Sequence, residues 1–347
     1  MRGIELSRTF YREIVEPLMR EYLESDDYGA ALIGPGSEVL GFDTEMSQDH
    51  DWGPRVCLFL GASYPAKAAD ELRSLLEKRA PERFYSFPVD TGMTRITSLN
   101  SFMNNRLGID LHTEIELLDW LTFPSQTLLE LTSGEVFKDG AGELRELRER
   151  LAYYPDDIWL YLIACTWQRI GQEEHLMNRA GYVGDELGSA VMGSRIVRDV
   201  MNLCFLMERN YAPYPKWFGT AFKQLNCAEQ LLPLLWEAQT AMKWREREGA
   251  LGRVYRILAR MHNDRGLTEA RIGEEAMSFF TRPFNVMNGG DIAVLIRERI
   301  QDSHIRWLAE HRPIGSIDQI TDNTDVRNMP QSPSSRERLK ALYSRSE

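Results

Sequence analysis

The sequence predicts an α+β fold, in which an N-terminal mixed sheet with flanking helices is followed by a C-terminal all-α helical bundle. Short apolar runs alternate with helical patterns as far as residue 107. Past Glu114 the strand signals fade, and long helical patterns follow one another. We therefore expect a first domain over residues 1–122, a helical domain over 123–330 and a mobile tail over 331–347.

The first of these parts contains recognisable elements. Apolar residues at helical spacing predict an amphipathic helix over 4–24. A short apolar run ends at Gly34-Pro35, which is typical of a strand that leads Gly36-Ser37 into a tight turn. The remaining predictions are a buried strand over 55–60, helices over 66–78 and 98–107, and extended segments over 84–89 and 93–97.

Beyond residue 114 the pattern predicts helices only. The short loops between them favour antiparallel neighbours in a bundle. The predicted helices cover 114–121, 124–132, 142–151, 155–170, 185–209, 214–225, 227–245, 250–263, 268–280 and 291–310.

The composition excludes several classes of protein. A net charge of −11 disfavours nucleic acid as a partner, because sequence-independent binding depends on Lys and Arg contacts with phosphates. The same acidity would favour a cationic acceptor, whereas a local basic groove would still admit nucleic acid, and composition does not choose between the two. There is no apolar window of about eighteen residues and no signal-peptide pattern, so we expect a cytoplasmic protein with no membrane partner. The sequence does not set an oligomeric state.

The chemistry is expected where the Gly36-Ser37 turn is followed by Asp49 and Asp51, just before the strand at 55–60. Period-two spacing aims the two carboxylates toward one side. Mg²⁺ takes oxygen ligands, usually one or two carboxylates together with substrate phosphates. A tight turn of backbone N–H groups forms a concavity that binds anions. The pattern therefore predicts Asp49 and Asp51 as Mg²⁺ ligands, with Gly36 and Ser37 against the phosphates of a nucleoside triphosphate.

These four residues resemble the signature of the polymerase-β-like nucleotidyltransferase superfamily, a Gly-Ser turn followed by Asp-x-Asp. The segments 181–189 and 211–222 extend the resemblance to the bacterial family called domain of unknown function 4037. It implies a two-domain layout similar to that of kanamycin nucleotidyltransferases. The implied activity is metal-dependent transfer of a nucleoside monophosphate, with ATP as the default donor, to an unidentified acceptor.

The resemblance also implies roles for residues of the helical part. Glu173 or Glu174 is expected to act as the general base, in the manner of the helical-domain glutamate of kanamycin nucleotidyltransferase. Lys216 follows a proline in the first turn of a predicted helix, where its charge and the helix N-terminus suit a triphosphate. Arg179 is a further expected nucleotide contact.

Two alternatives remain open at this stage. Many superfamily members carry a third carboxylate on a neighbouring strand, where this chain offers Arg95, so a non-catalytic nucleotide-binding or interaction protein is the first alternative. Arg306 with His311, and Arg169 with His175, have spacings found in some helical ribonucleases, which is the second. The chain offers four acidic residues elsewhere as candidates for the third carboxylate, Asp90, Asp110, Glu114 and Glu116.

Overall fold

The structure is a computed structural model that describes residues 1–23, 26–49, 52–65, 67–328 and 330–345, with only the backbone of Asp49. The strands are β1 (Tyr28–Leu32), β2 (Cys57–Leu60), β3 (Arg83–Phe84), β4 (Phe87–Pro88), β5 (Arg95–Thr97), β6 (Glu135–Asp139), β7 (Met277–Ser278) and β8 (Asn285–Val286). The α+β fold class is confirmed.

The helices run along the whole chain. They are α1 (Gly3–Phe10), α2 (Glu16–Tyr22), α3 (Ala68–Arg79), α4 (Leu99–Leu107), α5 (Leu117–Trp120), α6 (Ser125–Thr132), α7 (Glu143–Arg150), α8 (Asp156–Tyr182), α9 (Glu186–Met207), α10 (Pro215–Phe222), α11 (Ala228–Thr240), α12 (Trp244–Asp264), α13 (Gly289–Arg297), α14 (Ser303–His311), α15 (Ile317–Ile320), α16 (Thr324–Asn328) and α17 (Pro333–Lys340). A π-helical turn, Tyr11–Val15, joins α1 to α2. Across the described residues, no helix has both the length and the apolar character needed to cross a membrane.

The chain packs as two compact units. The first contains residues 1–119, 123–152 and 325–342, and the second contains 120–122, 153–324 and the residues from Tyr343 onward. The predicted domain ranges remain a prediction, because packing units and domains need not coincide. The segment expected to be a mobile tail contains α17, whose Lys340 ammonium lies 2.7 Å from Glu116 and 3.1 Å from Asp119.

The first unit is built on a mixed four-stranded sheet with the order β5-β2-β1-β6. Strand β1 runs antiparallel to β2 and β6, while β2 runs parallel to β5. Side chains alternate across β2 as the pleat requires. Leu58 and Leu60 join a core with Leu6, Phe10 and other residues of the N-terminal helices, whereas Phe59 packs edge-on against Phe102 of α4.

Strand β6 corrects the prediction that only helices follow residue 114. Its five residues pair with β1 and complete the sheet on that side. The strand was missed because Glu135-Val-Phe-Lys-Asp139 places charges at both ends of a short apolar centre. The signal in the sequence that could have indicated β6 is the pair of glycines on either side of it, Gly134 and Gly140. The structure requires both, because Gly134 has a φ of 71° and a Cβ on Gly140 would lie 1.8 Å from the Asp26 carbonyl oxygen.

The second unit is organised around α8, which packs against α9, α12, α13 and α14. Helix α8 continues to Tyr182, twelve residues beyond the predicted end at 170. Glycine permits close approach of a neighbouring segment at one point along it, because a Cβ on Gly171 would lie 2.5 Å from the backbone nitrogen of Gly290. Trp167 and Ile170 are fully buried on the same helix.

Two further helix predictions are wrong. Residues 268–280 form loop and strand β7, because the Asn263 side chain bonds both the N–H and the carbonyl of Ile272 at 2.8 and 3.0 Å and fixes a non-helical backbone there. The predicted helix over 291–310 is two helices. The Asp157 carboxylate accepts the N–H groups of Gln301 and Asp302 at the break, and the Asp302 side chain caps α14.

A buried ion pair in the first unit gives one testable prediction. Arg106 and Glu130 are 5% and 2% exposed, and their side chains are hydrogen-bonded to each other. Arg106→Met should lower the free energy of unfolding by about 3–5 kcal/mol, because it leaves a buried carboxylate unpaired. Denaturant unfolding measures the loss. The double variant Arg106→Met/Glu130→Met should be more stable than Arg106→Met, and additive losses would contradict this account.

A buried histidine in the second unit predicts a pH dependence. Burial lowers the pKa of His262 to about 4, and its Nε2 lies 3.1 Å from the Thr268 hydroxyl. The unfolded chain takes up this proton near pH 6.5, whereas the folded chain does not until about pH 4. His262 should therefore cost the fold about 3 kcal/mol of stability as pH falls through that range.

Unfolding titrations between pH 7 and pH 4 test the effect of His262. His262→Gln should remove this component of the acid destabilisation, while His311→Gln, a change at an exposed histidine of the same unit, should retain it. An identical pH dependence in wild type and His262→Gln would contradict the prediction.

Candidate functional site

The candidate site begins where the chain leaves β1. Every residue of β1 is buried, and the following turn contains Gly34 at φ 95° and Gly36 at φ 141°. Gly36 also lacks room for a side chain, because its Cβ would lie 2.3 Å from Nη2 of Arg55 and 2.7 Å from Oε2 of Glu38. Both the backbone conformation and the close approach therefore require glycine at this position.

Arg55 and Glu38 form an ion pair that contacts this turn at Pro35 and Gly36. The Arg55 Nε donates to the Glu38 carboxylate at 2.8 Å, and its Nη2 donates to the Pro35 carbonyl at 2.5 Å. Glu38 is 1% exposed, so burial raises the pKa of its carboxyl, and the charge of Arg55 opposes that shift. The pair ties the start of β2 to the turn that follows β1. No motif in the sequence pointed to Arg55.

The strand register brings three segments to this end of the sheet. Ala31 near the end of β1 lies opposite Cys57 at the start of β2, and Cys57 lies opposite Arg95 at the start of β5. Antiparallel β1 and β2 thus place the Gly36-Ser37 turn beside the chain that enters β2. Arg95 is exposed, and its guanidinium lies 5.5 Å from the ring centre of Phe102.

Three guanidinium groups act on the buried Cys57 thiol at this end of the sheet. Burial raises the pKa of the Cys57 thiol, and three guanidinium groups each oppose the shift, which shows that they lie within electrostatic reach of one point. They belong to Arg55, Arg95 and Arg106. Two of them are paired with the buried carboxylates of Glu38 and Glu130. Arg95 has no carboxylate partner among the described residues.

The turn itself offers unpaired hydrogen-bond donors. Ser37 is half-buried, and its carbonyl accepts the N–H of Phe42 at 2.9 Å. Among the described residues, neither the Ser37 hydroxyl nor the N–H groups of Gly36 and Ser37 have a hydrogen-bond partner. Such donors at a tight turn suit an anion.

The predicted metal ligands fall at the edge of what the structure describes. Asp49 ends a 3₁₀ helix, Glu45–Asp49, but its side chain lies outside the described residues, as does the whole of Asp51. Their assignment as Mg²⁺ ligands therefore stays a prediction. Elsewhere in the described ranges, no group of three or more His, Cys, Asp and Glu side chains is placed to hold a metal ion.

The other candidates for a third carboxylate are engaged elsewhere or exposed. Asp90 accepts the N–H of Gly92 and Asp110 that of His112, each at 2.9 Å. Glu116 pairs with Lys340, and Glu114 is exposed. None of the four lies on β5, where the position beside Cys57 holds Arg95.

The remaining predicted site residues belong to the second unit. Glu173 lies on α8, and its carboxylate pairs with Arg195 of α9 at 2.6 Å. Arg179 is exposed near the end of α8. Lys216 lies in the first turn of α10, directly after Pro215, as the sequence predicted. It is exposed, and its ammonium nitrogen lies 5.1 Å from the ring centre of Trp217.

Glu174, next to Glu173, is 2% exposed and faces the interior of the second unit. Its carboxylate accepts the N–H groups of Met287 at 2.6 Å and Gly289 at 3.2 Å. Burial raises its pKa to about 7, while these backbone bonds oppose the shift. The carboxylate therefore holds the start of α13 against α8, whatever further role it has.

The residues behind the ribonuclease alternative have structural partners. Arg306 donates to the Ile300 carbonyl, and His311 stacks on Trp307. In the other pair, Arg169 donates to the Gln319 carbonyl at 2.7 Å and pairs with Asp199, and His175 stacks on Phe279. These contacts account for the four residues as parts of the packing.

A cavity of about 620 Å³ lies at the other end of the same sheet. Its lining includes Leu60 at the end of β2 and Thr97 at the end of β5, together with Glu143, Glu146 and Arg150 of α7. Because β2 and β5 are parallel, their ends lie opposite the end that bears the Gly36-Ser37 turn. No motif in the sequence pointed to this cavity.

One part of the chain matches a known protein family. Residues 120–218 match the sequence profile of a family described as Domain of unknown function (DUF4037). The matched segment contains residues 181–189 and the first part of 211–222, so the family resemblance inferred from these motifs is confirmed there. Gly36, Ser37, Asp49 and Asp51 lie outside the matched segment.

One solved structure to which the chain is similar is a nucleotidyltransferase-like protein from Exiguobacterium sibiricum 255-15. The match covers 76% of this chain and 77% of that chain at 10% sequence identity, with a TM-score of 0.33. No curated protein matches this chain. A similarity of this size assigns no activity to this chain.

The glycine turn generates a prediction with a matched control. Gly36→Ala should lower the free energy of unfolding by about 1–3 kcal/mol more than Gly41→Ala, because it displaces Arg55 and leaves Glu38 buried and unpaired. Gly41 also has a positive φ, 72°, but a Cβ there would meet no atom within 4 Å. Denaturant unfolding of both variants measures the difference, and equal losses would show that the Arg55 contact contributes nothing.

Proposed function

We propose that this protein binds a nucleoside triphosphate at the Gly36-Ser37 turn and transfers the nucleoside monophosphate, by default AMP from ATP, to an unidentified acceptor. The observation that carries the proposal is the combination of unpaired donors at the turn with the convergence of three guanidinium groups at that end of the sheet. Two of these guanidinium groups are balanced by Glu38 and Glu130, so among the described residues it is Arg95 that supplies uncompensated positive charge there.

Electrostatics supports a triphosphate as the ligand. The N–H groups of Gly36 and Ser37 and the Ser37 hydroxyl can each donate to a phosphate oxygen. Arg95 has no carboxylate partner among the described residues and adds a positive charge beside the turn. A lysine in the first turn of a helix adds its charge to the helix dipole, so Lys216 stays our candidate for a further phosphate contact, together with Arg179.

Magnesium is the cation we propose for the site. Asp49 and Asp51 precede β2 in the sequence, and carboxylate oxygens suit Mg²⁺. Asp49 and Asp51 would hold the ion. When bound, Mg²⁺ would neutralise charge on the phosphates.

The proposed reaction is an in-line displacement at the α-phosphorus. The acceptor's hydroxyl oxygen bonds to the α-phosphorus, the bond from that phosphorus to the oxygen bridging to the β-phosphate breaks, and pyrophosphate leaves. The acceptor's proton passes to a base, for which Glu173 and Glu174 are our candidates. A cationic small molecule is the acceptor class that the acidic composition favours.

A second candidate function is nucleotide binding without transfer. Arg95 favours it. This residue occupies the position on β5 that pairs with Cys57 of β2, where a third catalytic carboxylate would be expected. The two candidates share the binding site and differ only in turnover.

The proposed function predicts loss of Mg²⁺-dependent ATP binding in Asp49→Asn/Asp51→Asn, since the change removes the charges expected to hold the cation. Calorimetric titration measures the affinity. The control is Asp70→Asn, which removes a carboxylate from the surface of α3 where it pairs only with Arg73 at 2.6 Å, and it should bind as wild type does. Unchanged Mg²⁺–ATP affinity in the double variant would overturn the metal assignment.

Turnover distinguishes the two candidates. The wild-type protein is incubated with Mg²⁺, a cell extract and ATP, GTP, CTP or UTP labelled at the α-phosphate, and the labelled product is identified. Transfer of label with release of pyrophosphate supports the nucleotidyltransferase, whereas tight nucleotide binding with no labelled product supports the binding protein. RNA cleavage that is lost in His311→Ala but retained in the double aspartate variant would support the ribonuclease instead.

A further inference from the structure

A second, smaller cavity lies wholly within the second unit, between α8, α12 and the β7–β8 hairpin. Its volume is about 120 Å³, which corresponds to roughly four water molecules at about 30 Å³ each. We call it the α8–α12 cavity. The polar side chains in its lining are Glu174, Asn178, Glu248, Tyr255 and Asn285.

Two glycines of α12 line this cavity. Gly249 and Gly252 are three residues apart and therefore share a face of the helix. A Cβ built on either glycine would meet no atom within 4 Å, so no close packing accounts for their lack of a side chain. Glycine within a helix is destabilising relative to alanine. Gly249 is exposed, so of the two it is the half-buried Gly252 that leaves space beside the cavity.

The cavity wall contains buried polar atoms without partners. Asn178 is 1% exposed, and its amide nitrogen donates to the Asn285 carbonyl at 3.2 Å, but its Oδ1 has no hydrogen-bond partner within the part of the chain that the structure describes. Tyr255 is 3% exposed, and its hydroxyl has no partner there either. Buried polar atoms in native proteins are nearly always hydrogen-bonded, so these two point to a group that occupies the cavity.

Two carboxylates, those of Glu174 and Glu248, line the cavity. Glu174 accepts only backbone N–H groups, and no cationic side chain contributes to its electrostatics. Glu248 is 12% exposed and accepts the N–H of Asn285 at 2.8 Å, while its contact with Arg245 is 3.5 Å long. Burial raises the pKa of Glu174 to about 7, as expected for a carboxylate that lacks a cationic partner. Among the described residues, the wall thus offers hydrogen-bond acceptors and two carboxylates, and no cationic side chain lines it.

We propose that the α8–α12 cavity binds the ammonium group of a small primary amine. An ammonium group has three N–H donors and no acceptor, which matches three acceptors in the wall: Asn178 Oδ1, the Tyr255 hydroxyl oxygen and a carboxylate of Glu174 or Glu248. The volume limits the ligand to a few non-hydrogen atoms. This site lies within one unit, and the proposal does not depend on nucleotide transfer.

Methylammonium chloride is the probe, and tetramethylammonium chloride at equal concentration is the matched salt, because its cation has the same charge but no N–H donor. Methylammonium should raise the unfolding midpoint of the wild-type protein more than tetramethylammonium does, in proportion to ln(1 + [L]/Kd). Chemical unfolding at several concentrations of each salt measures the difference.

Two variants locate the effect. Tyr255→Phe removes only a hydroxyl that has no protein partner, so the fold should be unaffected while the dissociation constant for methylammonium rises about 2- to 10-fold. Gly252→Leu should fill the cavity and abolish the difference between the two salts. Its control, Gly219→Leu, makes the same change at an exposed helical glycine outside the cavity and should retain the difference.

Three outcomes would overturn the proposal. Equal midpoints in the two salts would show that the cavity holds water alone. A methylammonium effect that persists in Gly252→Leu would place the binding elsewhere on the protein. If Gly252→Leu does not fold, Tyr255→Phe decides the question, because unchanged affinity in that variant would remove the hydroxyl from the site.

Discussion

The antiparallel pairing of β1 with β2 is the constraint on which the candidate site depends. The chain leaves β1 at Leu32 and enters β2 at Cys57 at the same end of the sheet. The Gly36-Ser37 turn and the start of β2 are therefore neighbours. The Arg55–Glu38 pair then closes this junction from the inside. Because Arg55 occupies the space where a Cβ of Gly36 would lie, the ion pair and the glycine depend on each other.

The distribution of charge matters more here than the total. The chain has a net charge of −11, yet three guanidinium groups act on Cys57, and two of them, Arg55 and Arg106, are balanced by buried carboxylates. A buried ion pair seldom adds net stability relative to apolar residues, but removal of one partner is strongly destabilising. These pairs therefore fix the arrangement of the sheet end and leave the exposed Arg95 available to an anion. The second unit shows the opposite pattern, a cavity with carboxylates and no cation.

The sequence by itself determined the fold class and the position of the candidate turn. Apolar runs of period two and amphipathic helical patterns are local properties, so β1, β2, α4 and α10 could be predicted close to their observed bounds. Gly36 and Ser37 were identifiable for the same reason, because a Gly-Pro break after an apolar run indicates a turn. The family resemblance of 120–218 was likewise readable from short motifs.

Only the tertiary structure decided which distant residues meet. Strand β6 exists because β1 has an open edge to pair with, although its own five residues carry a weak strand signal. Residues 268–280 are not helical because the side chain of Asn263, from another element, binds their backbone. The convergence of Arg55, Arg95 and Arg106 depends on strand register. The lack of a described partner for Asn178 Oδ1 and the Tyr255 hydroxyl depends on helix packing. These are non-local contacts, and no periodicity within one segment encodes them.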